Sequence, residues 1–453
     1  MDGGSGGGDP TRPRVGLFPC PFQGHLNPMF QLAHLLHRRG FPVTVFLPPS
    51  TPDSVAGHIP HFDFVPLPGR LLPRLDNQSD VAEAIAELNA QCEAPFREAL
   101  CRIASAEGVA CVIVDALLFR VQAAAKDAGV PALAMRTSSA ACFNAFILYP
   151  LLLSRGYLSI QQESHLEDPI PELPPLRVKD LVRVDRSSSE SLSRMLEQVV
   201  GAARTSSGII FNTFDAVEAA DLELLRQRLD GVPVFAVGPL CAVTGGAQCS
   251  LLAQDRRCME WLDKQADRSV IYVSFGSLAV LEEEEFGEIA RGLAQSGQAF
   301  LWVVRPGQVR AGVRLPNELI EVEERGMIVD WAPQQEVLGH PAVGGFWTHN
   351  GWNSTVESLV AGVPMLCSPR DYDQMGNARY VAHVWKVGLQ MDFDNGPNME
   401  DISQAVRMLM VDEAGHDARA RAQHTKEEVT DCVRPGGSSS RAIESLVDHI
   451  CSL

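Results

Sequence analysis

The sequence predicts an α/β protein built from two doubly wound, Rossmann-like domains. Three observations predict it. The chain has 453 residues, too many for one ordinary core, so two domains are expected. Short apolar runs alternate with helical patterns along most of it, the rhythm of parallel strands covered on both faces. Between Gly238 and Asp255 the composition turns to Gly, Ala, Ser and Gln, including TGGAQCS, as in an interdomain linker. The expected layout is a disordered tail at 1–13, a first domain at 14–238, a linker at 239–256, a second domain at 257–435 and a C-terminal helix at 436–453.

Taken in order, RVGLFPC (14–20) gives the first strand. After the loop PFQGHL a helix is expected to begin with Asn27 as its cap and Pro28 in its first turn. Met29, Phe30, Ala33 and Leu36 fit one buried face, and Gly40 ends the helix. PVTVFLP gives a second strand. ACVIVD (110–115), a helix to Ala128 and the strand PALAM follow, then GIIFNT, a helix from Asp215 and PVFAVG. The Pro- and acid-rich HLEDPIPELPPLRVKDL (165–181) breaks the rhythm and reads as an ordered loop. The second series opens with SVIYVSFGS (269–277). It continues through EEEEF, an acidic helix start matched to the helix dipole, and the strands FLWVVR and GMIVDW. It closes with the amphipathic SSSRAIESLVDHI.

Hydrophobic residues make up 45% of the chain and mean hydropathy is near zero, as for a soluble globular protein. A net charge of −18 argues against nucleic acid or an anionic membrane as the main partner. The 11 cysteines show no CxxC pair and no Cys/His cluster at metal spacing. Cys20, Cys101, Cys111, Cys142, Cys367 and Cys451 lie in or beside apolar runs and read as small core residues in a reducing compartment. The start MDGGSGGGDPTRP has no apolar h-region, and no stretch approaches the ~18 apolar residues of a membrane span. A cytoplasmic protein without a membrane partner is expected.

The stretch richest in chemistry runs from Trp331 to Gln374, WAPQQEVLGHPAVGGFWTHNGWNSTVESLVAGVPMLCSPRDYDQ. Its centre reads as a buried strand, GGFWTH, a tight NGWNS corner, and a helix closed by Gly362 and Pro364. A helix starting directly after a strand aims its N–H groups and positive dipole end at the sheet's carboxyl edge, where an anion can bind. His349, Asn350, Asn353 and Ser354 can hydrogen-bond phosphate oxygens there. Glu357, one turn along, can accept from two ribose hydroxyls. Trp331 offers a flat face for a base, with Gln334 beside it for polar edges. Asp373 and Gln374 suit neutral sugar hydroxyls. The segment reads as a nucleotide-sugar site. No carboxylate cluster for a metal accompanies it, so hydrogen bonds and dipoles are expected to meet the diphosphate charge.

Two further residues stand at strand ends. His25 follows the first strand and Asp115 ends ACVIVD, both at the edge where ligands bind in such sheets. Alone, His25 also fits a capping or solvent-facing loop residue and Asp115 a helix N-cap. As a pair they can fix one imidazole tautomer and stabilise the imidazolium formed when the other nitrogen takes a proton. Ser277 fits a phosphate contact or a turn serine.

From its first residue to its last, the Trp331–Gln374 stretch resembles the secondary-product signature of plant family 1 UDP-glycosyltransferases. The resemblance implies the GT-B fold, two facing Rossmann-like domains with a cleft between them, with the acceptor on the first and the UDP-sugar on the second. It also implies that the C-terminal helix packs back on the first domain. His25 sits in the family's QGH-x-NP setting and Asp115 at the end of the equivalent strand, so the resemblance makes them the catalytic base and its partner. It adds Ser277 and Ala332 to the donor site; Thr137 and Ser138, following another strand of the first domain, are placed to touch the sugar or β-phosphate, and Gly24 lets its loop backbone come close to substrate. Trp352 and Gln374 go with glucose, so UDP-glucose is the implied co-substrate, with no other cofactor and no metal.

The implied reaction is direct displacement with inversion, giving a β-glucoside, catalysed by a monomer. The acceptor pocket is expected to be mostly apolar, from Phe22, Gln23, Leu117, Phe119, Phe143, Asn144, Phe146 and Leu148. RVKDLVRVD, DPIPELPP and PCPFQGH look similar to the grass benzoxazinoid glucosyltransferases and their cytokinin- and terpenoid-glucosylating relatives. The acceptor is therefore expected to be a small lipophilic plant metabolite, a benzoxazinoid, phenolic, hormone or terpenoid, attacked through a hydroxyl or a nitrogen. Two alternatives stand beside this. A non-catalytic nucleotide-sugar-binding protein would not need His25 and Asp115. A dinucleotide oxidoreductase would open with G-x-G-x-x-G between strand and helix, which neither half does.

Overall fold

The computed structural model describes residues 12–49, 51, 61–70, 80–158, 165–181, 189–245, 250, 252–309, 325–391, 396 and 398–453. Residues 1–11 of the expected tail, 182–185 of RVKDLVRVD, and 246–249 and 251 of the expected linker lie outside them.

The chain divides into two compact units, one of residues 1–161, 184–251 and 431–453, the other of 162–183 and 252–430. The ordered loop 165–181, expected in the first domain, is thus grouped with the second. Its backbone is fixed by a bridge between Pro169 and Arg177 and a short 3₁₀ turn, Val178–Asp180. The first part of the expected linker belongs to the first unit. Leu240–Val243 is a short helix, and Leu240 is fully buried in the core.

In the first unit seven parallel strands stand in the order β3-β2-β1-β4-β5-β6-β7. They are Val15–Phe18 (β1), Val43–Leu47 (β2), Asp63–Pro66 (β3), Cys111–Asp115 (β4), Ala132–Arg136 (β5), Ile209–Phe211 (β6) and Val234–Ala236 (β7). The central strands are short and apolar because both faces are covered: every residue of β1, β2, β4 and β5 is buried. The register sets Val15 beside Val43 on one side and Cys111 on the other. Helix Ser438–Ser452 closes one face, with Ile443, Leu446, Val447 and Ile450 in the core of β1 and β2.

The second unit carries six parallel strands in the order β10-β9-β8-β11-β12-β13. They are Val270–Ser274 (β8), Ala299–Val303 (β9), Gly326–Val329 (β10), Val343–Thr348 (β11), Met365–Cys367 (β12) and Gly388–Gln390 (β13). Trp302 and Trp347 fill its core beside Phe286 and Phe275.

In both units the chain builds outward from its first strand on one side and then returns to continue on the other. The order therefore reverses between β1 and β4 in the first unit, and between β8 and β11 in the second. Loops leaving the carboxyl ends on either side of such a reversal diverge and open a crevice, the usual ligand position in this architecture.

Two expectations change here. The first helix runs Gln23–Arg38 with Pro28 inside it. It starts at Phe22 rather than Asn27 because the Phe22 carbonyl already accepts from the N–H groups of His25 (2.8 Å) and Leu26 (2.9 Å). His25 is therefore a first-turn helix residue. Of the six cysteines read as core, Cys20, Cys111 and Cys367 are buried, Cys142 is half-buried, and Cys101 and Cys451 are exposed, on solvent-facing turns of their helices.

Candidate functional site

The reversal point of the first unit holds the His25–Asp115 pair. Asp115 is 1% exposed, since it ends a strand buried on both faces. A buried carboxylate must have partners or lose its charge. Both oxygens have one: Oδ1 accepts from the Leu117 backbone N–H (3.0 Å), and Oδ2 lies 2.7 Å from Nδ1 of His25. One oxygen thus holds the turn at Leu117, ahead of the helix N-cap at Leu118, and the other holds the histidine. An ionised carboxylate only accepts, so Nδ1 carries the proton and Nε2 presents its lone pair. Thr137 Oγ1 lies 3.0 Å from the same Nδ1. The hydroxyl expected near the sugar or β-phosphate thus rests on the imidazole, while Ser138 accepts from Arg136 (2.6 Å). Phe22 packs edge-on to the imidazole, centroids 5.9 Å apart. Gln23 and Gly24 continue the same half-buried turn.

The expected acceptor residues separate by burial. Leu117, Phe119, Phe146 and Leu148 are half-buried and retain exposed surface. Phe143 and Asn144 are fully buried and are corrected to core positions. Phe143 packs on Phe211 of β6. The Asn144 amide donates to the Asp221 carbonyl (2.9 Å) and accepts from Arg228 (2.6 Å), joining its helix Ala140–Ser154 to helix Asp215–Arg228. The partner this amide needed lies within the unit.

The second reversal point holds the NGWNS corner. β11 ends at Thr348, Asn350 turns the chain in the left-handed region (φ 62°), and helix Trp352–Ala361 begins. Its N-cap is Gly351, which has no side chain to cap the first-turn N–H groups. Ser277 lies in the turn after β8, half-buried. The His349 imidazole is wedged between two glycines. A Cβ built on either Gly276 (φ 73°) or Gly351 would stand 2.5 Å from its Nε2. Burial, with the Arg370 guanidinium nearby, lowers the His349 pKa from 6.5 to about 4. At neutral pH the His349 imidazole is therefore uncharged in the unliganded protein.

The carboxylate of Glu357 is held on both oxygens, by Gln334 Nε2 (2.7 Å) and Gln335 Nε2 (2.8 Å). Burial raises its pKa, and the two amide donors pull the other way. Gln334 is a junction: its Nε2 also donates to Ser354 Oγ (2.9 Å), and its Oε1 accepts from the Tyr272 hydroxyl (3.2 Å). Its amide, expected at the edge of a base, is engaged with the helix that carries Glu357. Trp331 is half-buried and Ala332 buried just before this junction, and the Trp331 carbonyl accepts from the Asp255 N–H (2.8 Å). Trp352, 3% exposed, packs near Trp385 at 6.4 Å. Asp373 precedes helix Gln374–Arg379 and accepts from Asn377 (3.0 Å). Gln374 turns its Oε1 back to the N–H groups of Arg370 (2.9 Å) and Asp371 (3.1 Å).

Sequence reading missed Gly276, Gly351, Gln335, Arg370 and Asn377. The two glycines carried a signal, each standing beside a polar candidate residue in FGS and NGW. The others show their role only through partners distant in the chain.

Two Rossmann-like units with these strand-edge sites define a GT-B glycosyltransferase. The sequence model of the family described as "UDP-glucoronosyl and UDP-glucosyl transferase" matches residues 178–419. DIMBOA UDP-glucosyltransferase BX8 of Zea mays is 45% identical over 430 residues, 91% of this chain and 93% of that protein. DIMBOA UDP-glucosyltransferase BX9 of Zea mays is 46% identical over 424 residues, 91% and 90% of the two chains. Among solved structures, Phytolacca americana UGT2 complexed with UDP-2fluoro-glucose and pterostilbene is similar at a TM-score of 0.81 and 28% identity, over 97% of this chain and 100% of that one. The chain belongs to the plant members of this UDP-glycosyltransferase family and is an enzyme. That membership removes both alternatives raised from the sequence. Among the described residues no helix is long and apolar enough to cross a membrane.

Proposed function

We propose that the enzyme transfers glucose from UDP-glucose to a hydroxyl of a small lipophilic plant metabolite, with inversion, and that benzoxazinoids are the first acceptor class to try. The His25–Asp115 pair carries this reading: a buried carboxylate on Nδ1 leaves Nε2 as a base at a strand edge. Nε2 takes the acceptor's proton as its oxygen attacks the anomeric carbon from the face opposite UDP. The bond to the β-phosphate oxygen breaks, and Asp115 stabilises the imidazolium formed. The first unit thus activates the acceptor.

The second unit would hold the donor. Trp331 and Ala332 serve the base and Glu357 the ribose. His349, Ser277, Asn353, Ser354 and the uncapped helix turn serve the diphosphate, and Asp373 and Gln374 the glucose, with Trp352 behind them. Neutral donors fixed in place need no reorganisation as charge grows on the leaving group. We read the transfer as metal-independent, testable with a chelator, and the enzyme as a monomer, testable by light scattering. The acceptor class is supported by the similarity to relatives named for DIMBOA.

The test is UDP release from UDP-glucose against benzoxazinoid hydroxamic acids, flavonoids, cytokinins, salicylate-type acids and diterpenoid alcohols. Turnover confined to the first class, with a β-linked product, is the expected result. Turnover only with another class overturns the acceptor, and an α-linked product overturns inversion.

A further inference from the structure

We propose that Asn377 is a positioning residue that sets the sugar-facing carboxylate of Asp373 against the phosphate corner. The inference deepens the donor-site reading and rests on it. Asn377 is 2% exposed. It uses both hydrogens of one NH₂ group, donating to the Asn350 backbone carbonyl (2.9 Å) and to Asp373 Oδ2 (3.0 Å). Asn350 is the left-handed residue of the corner, and its own N–H donates to Thr348 Oγ1 (3.1 Å). One planar amide therefore joins the backbone of the corner that leads into the helix turn assigned to the diphosphate with the carboxylate assigned to the sugar.

The loop between β12 and helix Gln374–Arg379 shows why such a tie is needed. Tyr372 sits there at φ 58°, in the left-handed region that a bulky side chain disfavours, and is 39% exposed. Strain of this kind persists only where the surroundings over-determine the backbone. The surroundings here include Asn377, the Gln374 Oε1 on two loop N–H groups, and Arg370. The Arg370 guanidinium lies over the Phe275 ring and pairs with Glu285. Arg370 anchors the loop toward the Ser277 turn and Asn377 anchors it toward the corner. Without the Asn377 amide, Asp373 loses a buried donor and the loop loses its tie to the corner.

A residue that only supported the fold would weaken UDP and UDP-glucose alike. A residue that sets the distance between two subsites weakens only the ligand spanning both. For Asn377→Leu, near-isosteric and unable to hydrogen-bond, kcat/KM for UDP-glucose should fall about tenfold or more, the weight of a hydrogen bond to a charged group. The inhibition constant of UDP alone should hold within about twofold, and the preference for UDP-glucose over UDP-galactose should shrink. Equal loss for UDP and UDP-glucose, or no loss for either, overturns the proposal.

Asn377→Asp keeps the shape and supplies a second test should the leucine variant not fold. Its acid group faces a carbonyl and a carboxylate, so its kcat/KM relative to wild type should climb as pH falls and that group takes a proton. A wild-type pH profile overturns the proposal. Asp373→Ala separates the two readings. If it leaves UDP-glucose kinetics unchanged, the sugar assignment fails and the proposal with it. If it costs tenfold or more while Asn377→Leu costs nothing, only the positioning role fails.

Discussion

The β1/β4 edge and the β8/β11 edge are topologically the same place, each the reversal point of a parallel sheet, yet they are furnished oppositely. The first holds a titratable pair, a half-buried imidazole on a fully buried carboxylate. The second sets neutral donors at its corner, a glycine-capped helix turn, amides, a serine and a histidine held near pKa 4, with the charged Glu357, Asp373 and Arg370 around them. The difference follows from the task assigned to each. Moving a proton requires a group that can change charge, with a fixed counter-charge beside it. Holding a diphosphate requires donors that never change. One sheet architecture supplies both because the strand ends fix positions and the loop residues fix chemistry.

The largest expected effect separates the two edges. His25→Ala should cut transfer to hydroxyl acceptors by roughly a hundred- to ten-thousand-fold, with UDP affinity by calorimetry unchanged. Weakened UDP binding would mean that the edges do not divide the labour as argued. Asp115→Asn should lower kcat by a similar order, because an amide can donate to Nδ1 and stabilise the wrong tautomer.

Next in size, Glu357→Ala should raise KM for UDP-glucose roughly ten- to a hundredfold through loss of charge-assisted hydrogen bonds. The ranking of acceptors should not move. A changed ranking would take Glu357 out of the donor site.

Gly351→Ala probes the neutral edge through space alone. Its Cβ would stand 2.5 Å from His349 Nε2, so the imidazole must move, at a cost of about 1–3 kcal/mol in stability as overpacking. UDP affinity should fall while the His25 pH profile stays as in wild type. Unchanged UDP affinity would remove His349 from the anion site.

The last effect acts on stability alone, as a pair of opposed slopes with pH. His349 has a folded pKa near 4 against 6.5 unfolded, so the unfolded chain binds the extra proton and stability falls as pH drops through that window. The loss is on the order of 3 kcal/mol. Glu218, in the first unit, is 1% exposed and accepts from the N–H groups of Ala140 and Ala141. Burial, with Asp221 nearby, raises its pKa from 4.5 to about 7. There the native state holds the extra proton, so stability falls as pH rises from 4.5 toward 7. His349→Asn should remove the first slope and Glu218→Gln the second, read as melting temperature between pH 4 and 7.5. If both slopes survive both substitutions, these residues do not produce them.

The strand–helix rhythm and the strand–corner–helix form of the Trp331–Gln374 stretch were legible because each depends on short-range pattern. β4 is apolar to its last residue and ends in a carboxylate, and β11 runs directly into a glycine corner and a helix. The misreadings were those where the sequence offered a local signal that tertiary contacts overrode. Asn27-Pro28 looked like a helix start, but the turn was already closed at Phe22. Asn144 looked like a pocket amide because its partners, Asp221 and Arg228, lie some eighty positions away.

By itself, then, the sequence determined which residues could do chemistry and on which strand ends they would stand, because side-chain type and hydrophobic period are local properties. Tertiary structure decided which of them meet. The meeting of Asp115 with His25, the room Gly276 leaves for His349, and the reach of the Asn377 amide to Asn350 are all distances across elements. Distances of that kind are fixed only when the sheet has packed.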